Sequence, residues 1–79
     1  MKEYNIIGIH VNDRTRDANK IQEILSRFGH HISTRLGLHD KESDSPNGLI
    51  IIEVDEKSFG MLQKELGKLD GIEVKSMRF

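Results

Sequence analysis

The stretch Gly48–Val54, GLIIIEV, decides the fold. Four apolar residues in a row, Leu49 to Ile52, are followed by Glu53 and Val54. Side chains alternate along a strand, so Ile50, Ile52 and Val54 share one face while Leu49 and Ile51 share the other. A strand that is apolar on both faces belongs at the centre of a sheet, covered on both sides. What covers the second side becomes the functional question.

Upstream, residues 4–11, YNIIGIHV, read as a second such strand, with Ile7, Ile9 and Val11 on one face and Tyr4, Ile6, Gly8 and His10 on the other. The polar break NDRTR at 12–16 offers Asp13 or Thr15 as the cap of a helix. Ala18, Ile21, Ile24, Leu25 and Phe28 then recur at helical spacing as its inner face, and Gly29 is expected to end it. Residues 30–39, HHISTRLGLH, alternate as a strand. Ile32, Thr34, Leu36 and Leu38 point one way, and His31, Ser33, Arg35, Gly37 and His39 the other. Residues 40–48, DKESDSPNG, contain the single Pro and a closing Asn-Gly, and read as a loop.

Downstream, Asp55 or Ser58 caps a second helix whose inner face is Phe59, Leu62, Leu66 and Leu69, with Gly71 ending it. Residues 72–79, IEVKSMRF, form a last strand. The order β-α-β-β-α-β is the ferredoxin-like, α+β pattern: one four-stranded antiparallel sheet with both helices on one face, in a single domain spanning residues 1–79. Its first and third strands are central, and here these are the two most apolar ones.

The helix side is expected to collect Ile7, Ile9, Val11, Ile32, Leu36, Leu38, Ile50, Ile52, Val54, Ile72 and Val74. The open side is expected to collect the apolar Tyr4, Ile6, Leu49, Ile51, Met77 and Phe79 among His10, His31, Ser33, Arg35, His39, Glu53 and Lys75. Burying one such apolar side chain is worth about 1.5–3 kcal/mol, hence on the order of 10 kcal/mol for the set, against about 4–15 kcal/mol for association. These six residues therefore mark an expected homo-oligomer interface, dimeric or tetrameric. The plainer alternative is a half-wet sheet face on a monomer.

Composition narrows the function. Twelve Lys+Arg against thirteen Asp+Glu give a net charge of −1, so no excess positive charge is available to displace counterions from nucleic acid, and direct nucleic-acid binding is not expected. The chain has no Cys, hence no disulfide, thiol nucleophile or thiolate metal site. The N-terminal segment does not read as a signal peptide and no run is long enough to span a membrane, which gives a cytoplasmic expectation with no membrane partner. No Ser has a neighbouring His-and-acid arrangement and no phosphate-binding glycine motif is present, so neither an enzyme nor a cofactor is expected.

Three stretches together resemble a known family: IIGIHVNDR, then NKIQEILSRFGHHISTRLGL, then GKLDGIEVKSM after the apolar strand. They are similar to the small ACT-like proteins named as iron-only hydrogenase system regulators, through Val11, Asp13 and Arg14, then Arg35, Gly37 and Leu38, then Gly67, Leu69, Gly71, Ile72, Val74 and Lys75. The family pattern often has a Pro-Tyr pair after R-x-G-I, where this chain has His39-Asp40, so a ligand touching that position would differ here. The resemblance implies an ACT-like fold, a regulatory role, and a small effector held at a subunit interface near Asn12, Asp13, Arg14, Arg35, Gly37, Leu38 and His39. The regulatory domain of nickel-responsive repressors is similar in fold, but this chain lacks the Cys of that metal site and has Gly37 where another ligand would be wanted. Two other readings stand beside the regulatory one. One is a metal-binding or metal-sensing protein using His10 and His39, and the other a structural assembly subunit without a ligand.

Overall fold

The computed structural model describes residues 3–38 and 48–79, the side chains of residues 14 and 15 excepted. The elements run β1 (Asn5–Val11), α1 (Arg14–Arg27), a 3₁₀ turn (Gly29–His31), β2 (Ile32–Leu38), β3 (Gly48–Val54), α2 (Glu56–Gly67) and β4 (Ile72–Arg78). The strands lie in the order β2-β3-β1-β4, with antiparallel pairing throughout. The expected topology is thus observed, with the two most apolar strands at the centre. The loop expected at 40–48 lies outside the described residues except for Gly48, which opens β3.

One side of the sheet and the two helices enclose the core. Ile7, Ile9 and Ile52 from the central strands, Ile21 from α1, and Leu62 and Leu66 from α2 are at most 1% exposed. Phe28, Ile32, Ile50, Phe59, Leu69, Ile72 and Val74 pack around them, half-buried. Helix α1 begins after Asp13, whose Oδ1 accepts the Arg16 backbone N–H at 3.3 Å. The inner face of α1 differs from expectation at one position: Ala18 is exposed and Asp17 is buried in its place. Asp17 sits one turn before Ile21 on the inward stripe, and both its oxygens accept from Arg16, at 3.1 Å each.

Helix α2 is capped by Asp55, whose Oδ1 accepts the Ser58 N–H at 2.9 Å. The other oxygen of Asp55 lies 2.7 Å from His31 Nδ1, and the Asp55 N–H donates to the His31 carbonyl. One carboxylate thus joins the start of β2 to the start of α2. His31 therefore belongs to the turn before β2 and not to the open face where alternation placed it. Helix α2 ends at Gly67, four residues earlier than expected. Gly71 instead forms the turn into β4 with φ +78, the one positive φ among the described residues. Gly29, expected as a helix-ending glycine, opens the 3₁₀ turn with φ negative.

The largest departure is in β2. Ile32 pairs with Val54 but Thr34 pairs with Glu53, so Ser33 is an extra residue and the strand carries a β-bulge. One inserted residue reverses the face of everything after it. Thr34, Leu36 and Leu38 consequently stand beside Glu53, Ile51 and Leu49 on the open side, while Arg35 and Gly37 stand beside Ile52 and Ile50 on the helix side. Two side-chain contacts agree: Thr34 Oγ1 donates to Glu53 Oε1 (3.4 Å), and Arg35 Nη1 donates to Gln22 Oε1 on α1 (3.1 Å). The expected placement of Leu36 and Leu38 under the helices, and of Arg35 and Gly37 on the open face, is thereby corrected.

Two stability tests follow from this architecture. A Cβ at Gly71 would overlap the Arg16 guanidinium and lie 3.0 Å from Asp17 Oδ2, in backbone that L residues avoid. Gly71→Ala is therefore expected to cost about 1–3 kcal/mol in urea unfolding, whereas Gly60→Ala, in open space on α2, gains about 0.5–1 kcal/mol. The His31 hydrogen bond, followed by the bonds from Ser58, holds the Asp55 carboxyl below its ordinary pKa. A depressed folded-state pKa gives stability that is present above the unfolded value and lost as pH falls through the folded one. The melting-temperature gap between the parent and Asp55→Asn should accordingly be full above about pH 4 and shrink below it. A gap that stays constant down to strongly acid pH would show that the ionised carboxylate is not the tie.

Candidate functional site

The open face of the sheet can be read row by row from the register. Thr34, Glu53, Ile6 and Met77 form one row across β2, β3, β1 and β4. Leu36, Ile51, Gly8 and Lys75 form the next, and Leu38, Leu49, His10 and Glu73 the third. Beyond the first row Tyr4 and Phe79 exchange backbone hydrogen bonds of 3.0 and 2.9 Å and extend the face by one more pair. The six residues expected on this face, Tyr4, Ile6, Leu49, Ile51, Met77 and Phe79, are all on it, and the bulge adds Leu36 and Leu38.

Large exposed apolar side chains among the described residues are Tyr4 (45%), Leu36 (51%), Leu38 (46%), Met61 (63%), Met77 (52%) and Phe79 (69%). All but Met61, which lies on α2, belong to this one face. Scattered exposed apolar residues are ordinary, but a contiguous set of this kind marks an interaction surface.

The two rims differ in chemistry. At one, the ends of β1 and β2 and the start of β3 bring Asn12 and Asp13 to the same end of the sheet as Leu38 and Gly48. Asn12 is exposed and its N–H donates to the Gly71 carbonyl (3.1 Å). Arg14 is the first residue of α1, so this rim also carries a helix start. Of the effector residues suggested by resemblance, Asn12, Asp13, Arg14 and Leu38 thus meet at one rim. Gly37 lies one position back and faces the helix side, Arg35 is held on that side by Gln22, and His39 lies outside the described residues.

At the other rim, a cleft of about 480 Å³ opens between the start of β2, the end of β3 and the start of α2. Glu3, Glu53, Asp55 and Glu56 line it together with His30 and His31. Arg78 offsets part of this charge: its Nη2 donates to both oxygens of Glu56 (2.6 and 2.7 Å) and to Glu3 (3.3 Å), and its guanidinium lies 5.4 Å from the centre of the Phe59 ring. Among the described residues that line the cleft, four are carboxylates and none is Lys or Arg. The pairing of His31 with Asp55 was missed in the sequence because the residues are 24 apart and face each other only through the turn before β2.

His10 is half-buried on the open face, in the row nearest the Asn12 rim, and is far along the strands from His31. No group of three or more metal-binding side chains occurs among the described residues.

Comparison with solved structures places this arrangement among known proteins. The uncharacterized protein TM1266 from Thermotoga maritima matches at 26% identity with a TM-score of 0.79, covering 99% of both chains. CPII from Thiomonas intermedia K12, bound to ADP, AMP and acetate, matches at 17% identity with a TM-score of 0.71, covering 100% of this chain and 90% of its own. The apo form of CPII, a nitrogen regulatory PII-like protein, matches at 14% identity with a TM-score of 0.74, covering 99% and 90%. The likeness to CPII is one of fold. Among curated proteins none matches the chain. The profile of one family, TM1266-like, described as "Iron-only hydrogenase system regulator, putative", matches residues 3–76. With nearly its whole length matched, the chain belongs to the TM1266-like family of iron-only hydrogenase system regulators.

Proposed function

We propose that this chain is a non-enzymatic regulatory module of an iron-only hydrogenase system, one that self-associates through its open sheet face and answers to a small effector at the rim of that face. The single observation that carries the reading is the gathering of five of the six large exposed apolar side chains on one side of the sheet. Transferring such a set from water offers about 1.5–3 kcal/mol per side chain, which competes with the cost of association.

The effector is assigned to the rim of Asn12, Asp13, Arg14 and Leu38, with His39 following in the chain. Arg35 and Gly37 are left out of the contact set because the bulge turns them to the other side. Both rims carry a helix start, whose N–H groups attract negative charge, and an anionic ligand is favoured at this one because the far cleft is lined by carboxylates. CPII, which shares the fold, is bound to ADP and AMP, and adenine nucleotides are therefore the first effectors to test.

Sedimentation at micromolar concentration should give a dimer or larger species for the natural chain, and Leu36→Asp or Phe79→Asp should shift it to monomer without unfolding it, since both side chains are exposed. A natural chain that stays monomeric ends the proposal. ADP or AMP at about a hundred times its Kd should raise unfolding free energy by about 2.7 kcal/mol, and Asn12→Ala should reduce that rise. Absence of any nucleotide response would remove the effector assignment and leave association standing.

A further inference from the structure

The arrangement of the open face carries a specific mode of association. Stepping one strand across and two residues along each time, from β2 to β4, the face presents Leu38, Ile51, Ile6 and Phe79. This diagonal is apolar from corner to corner. The remaining apolar residues flank it in two clusters, Leu36 and Leu49 at one end and Tyr4 and Met77 at the other. Polar residues lie on opposite sides of its middle: Thr34 and Glu53 on one side, Gly8 and Lys75 on the other.

We propose that a second copy of this chain packs face to face on the first about a two-fold axis running along this diagonal, with Glu53 of each copy against Lys75 of the other. The inference rests on the self-association proposed above and specifies its geometry. A two-fold axis parallel to the strands would lay Leu36 and Leu38 onto the partner's Lys75 and Glu73. An axis perpendicular to the strands would lay Leu36 and Ile51 onto the partner's Thr34 and Glu53. Both bury charge against hydrocarbon, which is costly without a partner.

The diagonal axis avoids this. With strands about 4.8 Å apart and residues advancing about 3.4 Å along them, Ile51 and Ile6 fall on the axis and meet their own copies. Leu36 comes over the partner's Leu49, and Tyr4 over the partner's Met77. Glu53 arrives between the partner's Gly8 and the partner's Lys75, within about 4 Å of the latter in the plane of the sheet. Gly8 has no side chain to obstruct that approach. The same spacings make the two sets of strands cross at about 70°, close to the orthogonal class of sheet packing and far from the aligned class near 30°. Glu73 falls outside the contact, and His10 lies at its margin beside the partner's Leu36. The surface is self-complementary, as a two-fold interface requires.

The test is a charge exchange in the full chain, read by sedimentation with circular dichroism as the check on folding. The parent should be a dimer. Glu53→Lys and Lys75→Glu should each weaken the dimer about tenfold or more, because like charges then face each other, and the doubly exchanged chain should recover to within about threefold of the parent. Independently, zero-length carbodiimide coupling of mixed ordinary and ¹⁵N-labelled chains should yield an isotopically mixed Glu53–Lys75 peptide. A monomeric parent overturns the association and this geometry together. A parent that is an oligomer while the single exchanges are neutral, the double exchange fails to recover and no mixed peptide forms overturns the diagonal alone. A trimeric mass does the same.

Discussion

Two helices can roof one side of a four-stranded sheet and no more, and the rest of this molecule follows from that limit. The central strands β1 and β3 are apolar on both faces, so folding places Ile7, Ile9 and Ile52 in a dry core and, by the same alternation, sets Ile6, Ile51 and Leu49 toward water. The backbone cannot favour one face without presenting the other. A core enclosed by 79 residues is small, and the second face is where additional burial is available.

The topology and the identity of the central strands were legible in the sequence because they rest on two strong signals. These are the runs IIGIHV and GLIIIEV and the helical spacing of Ile21, Ile24, Leu25 and Phe28. The cap at Asp55 and the inner face of α2 were legible for the same reason, as local chemistry at fixed offsets. What was not legible was the bulge at Ser33. Residues 32–38 alternate without a break, and regular alternation predicts a regular strand. The shift shows only in the register with the partner strand, next to the tie of His31 to Asp55, and both are contacts between residues distant in sequence. Every misplaced residue of the candidate site, Arg35 and Gly37 included, is an effect of that single inserted position. The exchange of Ala18 for Asp17 has a similar origin, since Asp17 is drawn in beside Arg16 and the Gly71 turn.

The bulge also changes the character of the open face. Without it, Leu36 and Leu38 would lie under the helices and the face beside β3 would carry Arg35. With it, the edge strand lends two leucines to the exposed surface, and the apolar area extends from the β2 edge to the β4 edge. The two rims remain polar and unlike one another: each carries a helix start, α2 near Asp55 and α1 near Asn12, but the Asp55 rim is lined by carboxylates. A ligand that bound at the Asn12 rim would lie beside Leu38 and Leu49, close enough to alter how that corner meets a neighbour.

The extra residue in β2 bears as well on how large an assembly can grow. An outermost strand with a straight, unpaired backbone invites another strand to add alongside, and repetition of that step leads to fibres. Here the outermost strand is kinked near its start, and Arg35, a cation, is turned inward toward α1. Kinks and inward-facing charges both discourage lateral strand addition. Lateral addition of a further strand is thereby disfavoured at the β2 edge, which leaves the β4 edge and the flat of the sheet as the surfaces without that protection.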